Sequence, residues 1–311
     1  MNSSFEPAVR YDLTDVNELA RQDPIAFVRR CEEEYAAQVQ TLAGFLKNSG
    51  QIKFIMIAGP SASGKTTTSL KLRQELERMG IRSVAISLDN FLFDRETLPI
   101  LEDGTRDYES IATLDIGLLN RCLEELLTNN RSNLPIFDFV SGLRLKTPQE
   151  MTITGEHVVI IEGLHALNPA ITDNQYKDRF LKVYISPQVE VYEGGRQILD
   201  GQTLRLMRRM IRDFKFRGSD PENTFHMWKN VCKGEKLYID PFRKDADYLV
   251  NSLHLYEPSV YHHDLVPILR QVKQQSEFYS RSRELVQILE DFDDLDFDLV
   301  PKDSMIREFL G

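Results

Sequence analysis

The stretch IMIAGPSASGKTTTSLKL, which begins at Ile55, places a glycine-rich turn between an apolar run and a helix-like segment. Gly59 and the run from Gly64 to Thr66 complete the pattern G-x-x-x-x-G-K-[ST] in the setting that this pattern requires, after a strand and before a helix. Backbone N–H groups in such a loop converge on phosphate oxygens. The sequence therefore predicts a binding site for a nucleoside triphosphate tail, formed by Gly59, Ser61, Ala62, Ser63, Gly64, Lys65, Thr66 and Thr67.

Two side chains of this loop have a chemical role in addition to the backbone. Lys65 is expected to reach the β and γ phosphates, and the Thr66 hydroxyl is expected to ligate Mg²⁺. We accordingly expect ATP and Mg²⁺ as cofactors. A phosphate loop by itself does not tell a kinase from a motor or a switch, so the reaction has to be inferred from the rest of the chain.

Short apolar runs alternate with helical patterns along the chain, and this alternation is typical of an α/β fold with a doubly wound, mainly parallel sheet flanked by helices. The strand-like runs cover 53–58, 83–87, 157–161, 180–186 and, more weakly, 247–250, and the helical patterns cover 24–48, 66–79, 116–127 and 204–216. We predict a helical N-terminal extension over 1–49 and a core over 50–252 that contains the phosphate loop, with a lid near 204–220. A helical C-terminal extension with an acidic, half-docked tail follows over 253–311.

Composition narrows the class of partners. The net charge of -10 argues against a nucleic-acid partner bound through its backbone, and the chain has no apolar run near the ~20 residues that a membrane helix needs. The three cysteines, Cys31, Cys122 and Cys232, fit neither a disulfide set nor a metal site. We expect a cytoplasmic protein that acts on a small molecule, with homo-oligomerisation left open.

Two carboxylates follow predicted strands at the sheet edge where α/β proteins bind ligands. Asp89 comes after the second strand and could take the proton of an attacking hydroxyl, although an Asp-Asn pair is also a good turn or helix cap. Glu162 ends the apolar run HVVII, where a carboxylate is better explained as a ligand of Mg²⁺ or water than as a surface charge.

An arginine-rich helix is predicted near the end of the core. In LRLMRRMIRDFKFRG, four arginines fall at helical spacings i, i+3, i+4 and i+7, and apolar residues fall on another face. A row of like charges repels unless an anion lies among them, so we interpret the helix as a lid over the phosphates, the alternative being a solvated basic face. The four arginines are Arg205, Arg208, Arg209 and Arg212.

With these motifs in place, the chain resembles the uridine kinase and phosphoribulokinase family of P-loop kinases from about Lys53 to Ser252. The resemblance rests on GPSASGKTT, SLDNF, LPIFDFVSGLR, VVIIEGLHAL and RRMIRDFKFRG, in that order. It is greatest to a bacterial branch of uridine kinase-like proteins. It implies the P-loop kinase fold and an ATP- and Mg²⁺-dependent transfer of the γ-phosphoryl group to the 5′-hydroxyl of a ribonucleoside.

The resemblance also implies roles for individual residues. Asp89 matches the carboxylate that activates the 5′-hydroxyl, and Glu162 matches the acid near Mg²⁺. Glu109 stands where the family has an aspartate that binds the ribose hydroxyls, and Phe139 matches an aromatic residue that stacks on the base. The arginines that match the family's lid are Arg209, Arg212 and Arg217.

The chain departs from uridine kinases around the base. Phe137 and Gly142 stand where the family has a tyrosine and a histidine, and Ser219 replaces an arginine that follows the lid glycine. Selectivity for a base depends on buried polar partners, so a nucleoside acceptor is implied while uridine itself is not. Two alternatives remain at this point: a phosphoribulokinase-like kinase of a sugar or another small hydroxyl compound, and a nucleotide-binding regulator without an acceptor.

Overall fold

The computed structural model describes residues 8–50, 52–100, 104, 106–138, 140–154, 157–173 and 176–311. Its strands, in chain order, are β1 (Val9–Asp12), β2 (Phe54–Ala58), β3 (Ser83–Ser87), β4 (Arg131–Leu134), β5 (Phe137–Asp138), β6 (Leu143–Arg144), β7 (Gln149–Thr152), β8 (Val158–Glu162), β9 (Phe180–Ser186), β10 (Val189–Glu193), β11 (Arg196–Asp200) and β12 (Tyr248–Asn251). The main helices are α1 (Leu13–Gln22), α2 (Pro24–Ser49), α3 (Lys65–Arg78), α4 (Ile116–Asn129), α6 (Gly201–Arg217), α7 (Pro221–Tyr238), α9 (Glu257–Leu269) and α10 (Tyr279–Asp291). Three single-turn helices complete the set: α5 (Pro169–Thr172), α8 (Asp240–Arg243) and α11 (Arg307–Leu310).

A five-stranded parallel sheet with the order β12-β9-β2-β8-β3 forms the centre of the molecule. Side chains of β2 alternate between its two faces, as the period of a strand requires. Ile55 and Ile57 pack into one apolar core, and Phe54, Met56 and Ala58 pack into the other. Both faces are therefore covered by helices, and the predicted doubly wound α/β fold is confirmed.

The N-terminal region packs against the sheet and the phosphate loop. Within α2, the Tyr35 hydroxyl lies 2.7 Å from Thr68 Oγ1, and Thr68 in turn donates to the Gly64 carbonyl at the start of α3. The sequence predicted only helix before residue 50, whereas β1 adds a strand that pairs in parallel with β10. Only four residues long and mostly exposed, β1 carries no apolar run that would have indicated a strand.

The C-terminal region packs against the rest of the protein. Phe292 and Leu295 of the acidic stretch are buried, and the aspartates between and after them face outward or lie half-buried. The chain does not stop there, however. Met305, Ile306 and Phe309 are fully buried in the same core that contains Ile57 of β2. These three residues thus belong to the core.

Membrane spans are absent from the part of the chain that the structure describes, because none of its helices combines the length and the apolar composition needed to cross a bilayer.

Candidate active site

A cavity of about 750 Å³ opens at the carboxyl ends of β2, β3 and β8, where a parallel sheet of this kind binds its ligands. Helices α3, α6 and α7 form its walls. The structure brings together in this cavity twelve of the residues that the sequence predicted: Ser61, Ala62, Ser63, Gly64, Lys65, Thr66, Asp89, Glu109, Glu162, Arg209, Arg212 and Arg217.

The loop between β2 and α3 has the backbone geometry of an anion-binding turn. Gly64 has a φ of 85° and Ala62 a φ of 59°, and left-handed residues in such a turn direct successive N–H groups toward one point. Gly59 serves close packing instead, since a Cβ there would lie 2.2 Å from the Ile185 carbonyl oxygen of β9. Glycine is therefore required at the two positions for different physical reasons: backbone conformation at Gly64 and close packing at Gly59.

Two buried arginines of α6 bind backbone carbonyls of this loop. Arg208, which has no exposed surface, donates to the Ala62 carbonyl at 3.3 Å, and Arg205 donates to the Ser61 carbonyl at 3.2 Å. Each is also paired with a carboxylate: Arg208 with Glu257, and Arg205 with Glu235. The interpretation of the helix as a single arginine row over the phosphates was wrong for these two arginines. They bind carbonyl groups of the loop, so the backbone N–H groups of the loop remain available to a ligand in the cavity.

The other three arginines of α6 line the cavity and share one carboxylate. Asp213 lies 3.1 Å from Arg209 Nε, 2.8 Å from Arg212 Nη2 and 3.6 Å from Arg217 Nε, and its side chain is only 6% exposed. One negative charge beside three guanidinium groups leaves a net positive wall, which suits the oxygens of a transferring phosphoryl group. Arg209 also donates to Ser61 Oγ at 2.8 Å, so the wall is joined to the phosphate loop.

Lys65 lies among acids at the centre of the cavity, with its Nζ donating to the Pro60 carbonyl at 3.1 Å. Burial lowers the pKa of Lys65, and the negative charges of Glu162 and Asp89 oppose that change. Burial also raises the pKa of Asp89 and of Glu162, with Lys65 opposing in both cases. Asp89 is open to the water of the cleft but enclosed by protein on its other sides. A carboxylate with a raised pKa beside a phosphate site is suited to accept a proton from a hydroxyl.

The residues that could hold Mg²⁺ lie in the same cavity. Thr66 supplies a hydroxyl, and Glu162 and Asp89 supply carboxylates, all of which are oxygen donors that a hard cation prefers. The structure therefore fits the metal that a phosphate loop implies. A bound Mg²⁺ would supply positive charge that offsets the negative charge of the phosphates.

Glu109 lines the cavity and packs against α7. A Cβ on Gly234 of α7 would lie 2.5 Å from the Glu109 Cβ, so the glycine is what allows this close approach. Burial raises the pKa of Glu109 to about 7, although Arg209 and Lys65 oppose this change. A half-buried acid that faces the cleft is available for the hydroxyl groups of an acceptor.

The residues predicted around the base are not confirmed as base contacts. Phe137 is buried, its backbone N–H donates to Asn90 Oδ1, and it does not line the cavity. Phe139 lies outside the described residues. Gly142 has a φ of 71°, and a Cβ there would lie 2.7 Å from Arg95 Nε, so a histidine could not be placed there without displacing Arg95. Ser219 does line the cavity, where it accepts from Asn223 at 2.8 Å.

Several residues of the cavity escaped the sequence analysis, among them two carboxylates and a histidine. Asp213 was hidden among the arginines that it joins, although its i,i+4 spacing from Arg209 was a usable signal. His165 is 3% exposed, and burial lowers its pKa to about 4, so the ring is neutral. Glu308 lines the cavity from the last helix of the chain, and nothing local in its sequence indicates this position.

Comparison with known proteins agrees with this geometry. A model of the Phosphoribulokinase / Uridine kinase family matches residues 54–257. The chain is 28% identical over 209 residues to the uridine kinase of Deinococcus deserti, which covers 66% of this chain and 90% of that protein. It is 27% identical over 198 residues to the uridine kinase of Staphylococcus haemolyticus, covering 63% and 86%.

Among solved structures, a candidate fructose transport system kinase from Silicibacter sp. TM1040 superposes with a TM-score of 0.51 at 19% identity, covering 68% of this chain and 98% of that one. At this identity the likeness concerns the fold alone. The match to the family model covers well over half of the chain. The chain therefore belongs to the phosphoribulokinase and uridine kinase family, and its relatives place it among the phosphotransferases.

Proposed function

We propose that this protein transfers the γ-phosphoryl group of Mg²⁺-bound ATP to a hydroxyl of a small acceptor, with the 5′-hydroxyl of a ribonucleoside as the preferred acceptor. The observation that carries the proposal is the convergence of the phosphate loop, a carboxylate with a raised pKa and three arginines on one cavity. A switch needs the loop but neither a proton acceptor nor a row of arginines, so this set favours transfer over slow hydrolysis.

In the proposed reaction, the oxygen of the acceptor hydroxyl attacks the γ-phosphorus, and Asp89 accepts the proton of that hydroxyl. The bond from that phosphorus to the β–γ bridging oxygen breaks, and ADP leaves with the bond's electron pair. Lys65, Arg209 and Arg212 offset the negative charge on the transferring group, and Arg217 closes the wall. Thr66 and Glu162 would hold Mg²⁺, which would supply positive charge against the phosphate oxygens.

A ribonucleoside acceptor is supported by Glu109 and by the relatives. Glu109 lines the same cavity as the phosphate loop, and its carboxylate can accept hydrogen bonds from two ribose hydroxyls. The curated relatives described above are uridine kinases. We expect ribonucleosides to be preferred over 2′-deoxyribonucleosides, which lack one of these hydroxyls.

A second candidate acceptor is a sugar or another small polyhydroxyl compound. Phe137 lies outside the cavity, and Gly142 has no room for a side chain, so the two positions at which uridine kinases recognise the base contribute no polar group here. A site with a carboxylate for hydroxyls and without these base contacts also suits an acceptor that has no base.

The test measures ADP release from ATP and Mg²⁺ with each ribonucleoside, each 2′-deoxyribonucleoside, a panel of sugars, and no acceptor. We expect the largest kcat/KM with one or more ribonucleosides. Lys65→Ala and Asp89→Asn should lose roughly 10²- to 10⁴-fold in kcat, as is typical of a group that acts on the transition state. Lys71→Ala, a matched change further along α3, should retain activity because Lys71 is not among the cavity-lining residues and pairs with Asp303 at the surface. ADP release that no acceptor accelerates would contradict the proposal and favour a regulator.

A further inference from the structure

The last eight residues of the chain lie against the phosphate loop. Met305 is fully buried, and its Sδ would be 2.6 Å from a Cβ on Gly64, so the segment covers the loop at its second glycine. Three residues later, Glu308 Oε2 accepts from the Thr67 backbone N–H at 3.2 Å and from the Thr67 hydroxyl at 2.6 Å. The last helix therefore places a carboxylate in the cavity described above.

Thr67 is one of the groups that a phosphate loop offers to its ligand. It belongs to the first turn of α3, where backbone N–H groups have no acceptor within the helix and form the positive end of the helix dipole. In the phosphate-loop pattern these groups bind the donor's phosphates. Glu308 makes with Thr67 the contacts of an anionic oxygen, one from the amide and one from the hydroxyl.

We propose that Glu308 is a residue of the donor site whose carboxylate occupies the place of a donor phosphate and leaves Thr67 when a phosphorylated donor binds. The inference rests on the proposed phosphate-donor site. It makes Glu308 a determinant of donor affinity, because every donor must displace an anion that the chain itself supplies.

The side chain moves in this exchange, and the segment stays. Met305, Ile306 and Phe309 are fully buried, and Leu310 nearly so. Lys215 Nζ also donates to the Leu310 carbonyl at 2.9 Å, which joins the segment to α6. Undocking four buried apolar side chains costs far more than one phosphate contact returns. Glu308 itself is only half-buried and can rotate away from Thr67.

Charge explains why the carboxylate cannot stay beside a bound donor. Asp89 and Glu162 face the same cavity, and a phosphate on Thr67 would add negative charge next to Glu308. Removing the carboxylate should therefore strengthen the binding of any ligand that carries phosphates. The affinities for pyrophosphate and for ADP should increase by the same factor, because both ligands carry two phosphates and only ADP carries a nucleoside.

The experiment measures the Kd of Mg²⁺-bound ADP and of Mg²⁺-bound pyrophosphate by titration calorimetry for the full-length protein. In Glu308→Ala, we expect both constants to fall roughly tenfold or more, the scale of one charge-assisted hydrogen bond. Glu308→Gln keeps the shape and loses the charge, so it should show a smaller fall. Asp303→Asn, an exposed carboxylate of the same segment, should bind like the wild type.

Each other result counts against the inference. Unchanged or weaker binding in both Glu308 variants, with a lower melting temperature of the free protein, would show that Glu308 only caps α3. Tighter binding of ADP without tighter binding of pyrophosphate would mean that the side chain occupies the place of the nucleoside and not of a phosphate. If the alanine variant does not fold, the glutamine variant decides between the same outcomes. Failure of the wild type and the variants alike to bind either ligand would overturn the proposed donor site, and this inference with it.

Discussion

Helix α6 carries five arginines, and its two sides use them in different ways. On the inner side, Arg205 and Arg208 are buried, and each has its own carboxylate. On the cavity side, three arginines share Asp213. A one-to-one pair satisfies a buried charge, whereas a three-to-one group leaves charge for a ligand. The same residue type is therefore structural on one side and available for an anion on the other.

The largest expected effect concerns the inner side. Arg208→Met should lower the free energy of unfolding by about 3–5 kcal/mol, because it leaves the fully buried Glu257 carboxylate without its partner. Urea denaturation measures this change. Arg10→Ala removes an exposed pair with Glu190 and should cost under about 1 kcal/mol. A similar small loss in Arg208→Met would abolish the distinction between the two sides.

The cavity side should respond in activity and not in stability. Arg212→Ala should lower kcat roughly 10²- to 10³-fold, the usual effect of removing one group that stabilises transition-state charge. Its free energy of unfolding should change by under about 1 kcal/mol, because Arg209 and Arg217 keep Asp213 paired. Steady-state kinetics and urea denaturation on the same preparation test both halves. Full activity with a large loss of stability would show that Arg212 belongs with the inner arginines.

Asp213 decides whether the three arginines act as a group. Asp213→Asn removes their shared negative charge and should lower the free energy of unfolding by about 1.5–3 kcal/mol, the scale of hydrogen bonds to a charged group. Added pyrophosphate should then raise the melting temperature of this variant more than that of the wild type, because the ligand replaces the missing charge. Equal shifts in the two proteins would mean that the arginines do not meet the ligand together.

The smallest expected effect contrasts two acids. Glu257 is paired in the core, whereas burial in the cleft raises the pKa of Glu109 from 4.5 to about 7. Between these two pH values the unfolded state binds fewer protons at this position, so stability falls as pH rises from about 4.5 to 7 and is then constant. In Glu109→Gln, the free energy of unfolding should decrease by roughly 1–2 kcal/mol less over this pH range than in the wild type, a figure reduced for screening by water in the cleft. Parallel pH profiles of the two proteins would contradict the raised pKa.

Local patterns in the sequence predicted the central sheet and the phosphate loop of this protein. Apolar runs predicted all five strands of the central sheet to within a residue or so, and the Gly-Lys-Thr motif predicted the turn whose left-handed residues the structure contains. Strand period, helix spacing and turn glycines act over a few residues, so they can be detected without knowledge of the fold. The strands outside the central sheet were not predicted, and for β1 the reason is that its pairing with β10 depends on a segment some 180 residues away.

Side-chain partners depended on the tertiary structure. Arg208 and Arg209 are adjacent in sequence, yet one meets Glu257 in the core and the other meets Asp213 at the cavity. Glu308 reaches Thr67 across 241 residues of chain. The sequence by itself determined that a phosphate loop stands at the edge of a parallel sheet, because that information is local. Only the packing of helices from distant parts of the chain decided which charges are neutralised and which face the ligand, because electrostatic energy depends on distance and burial and not on order in the sequence.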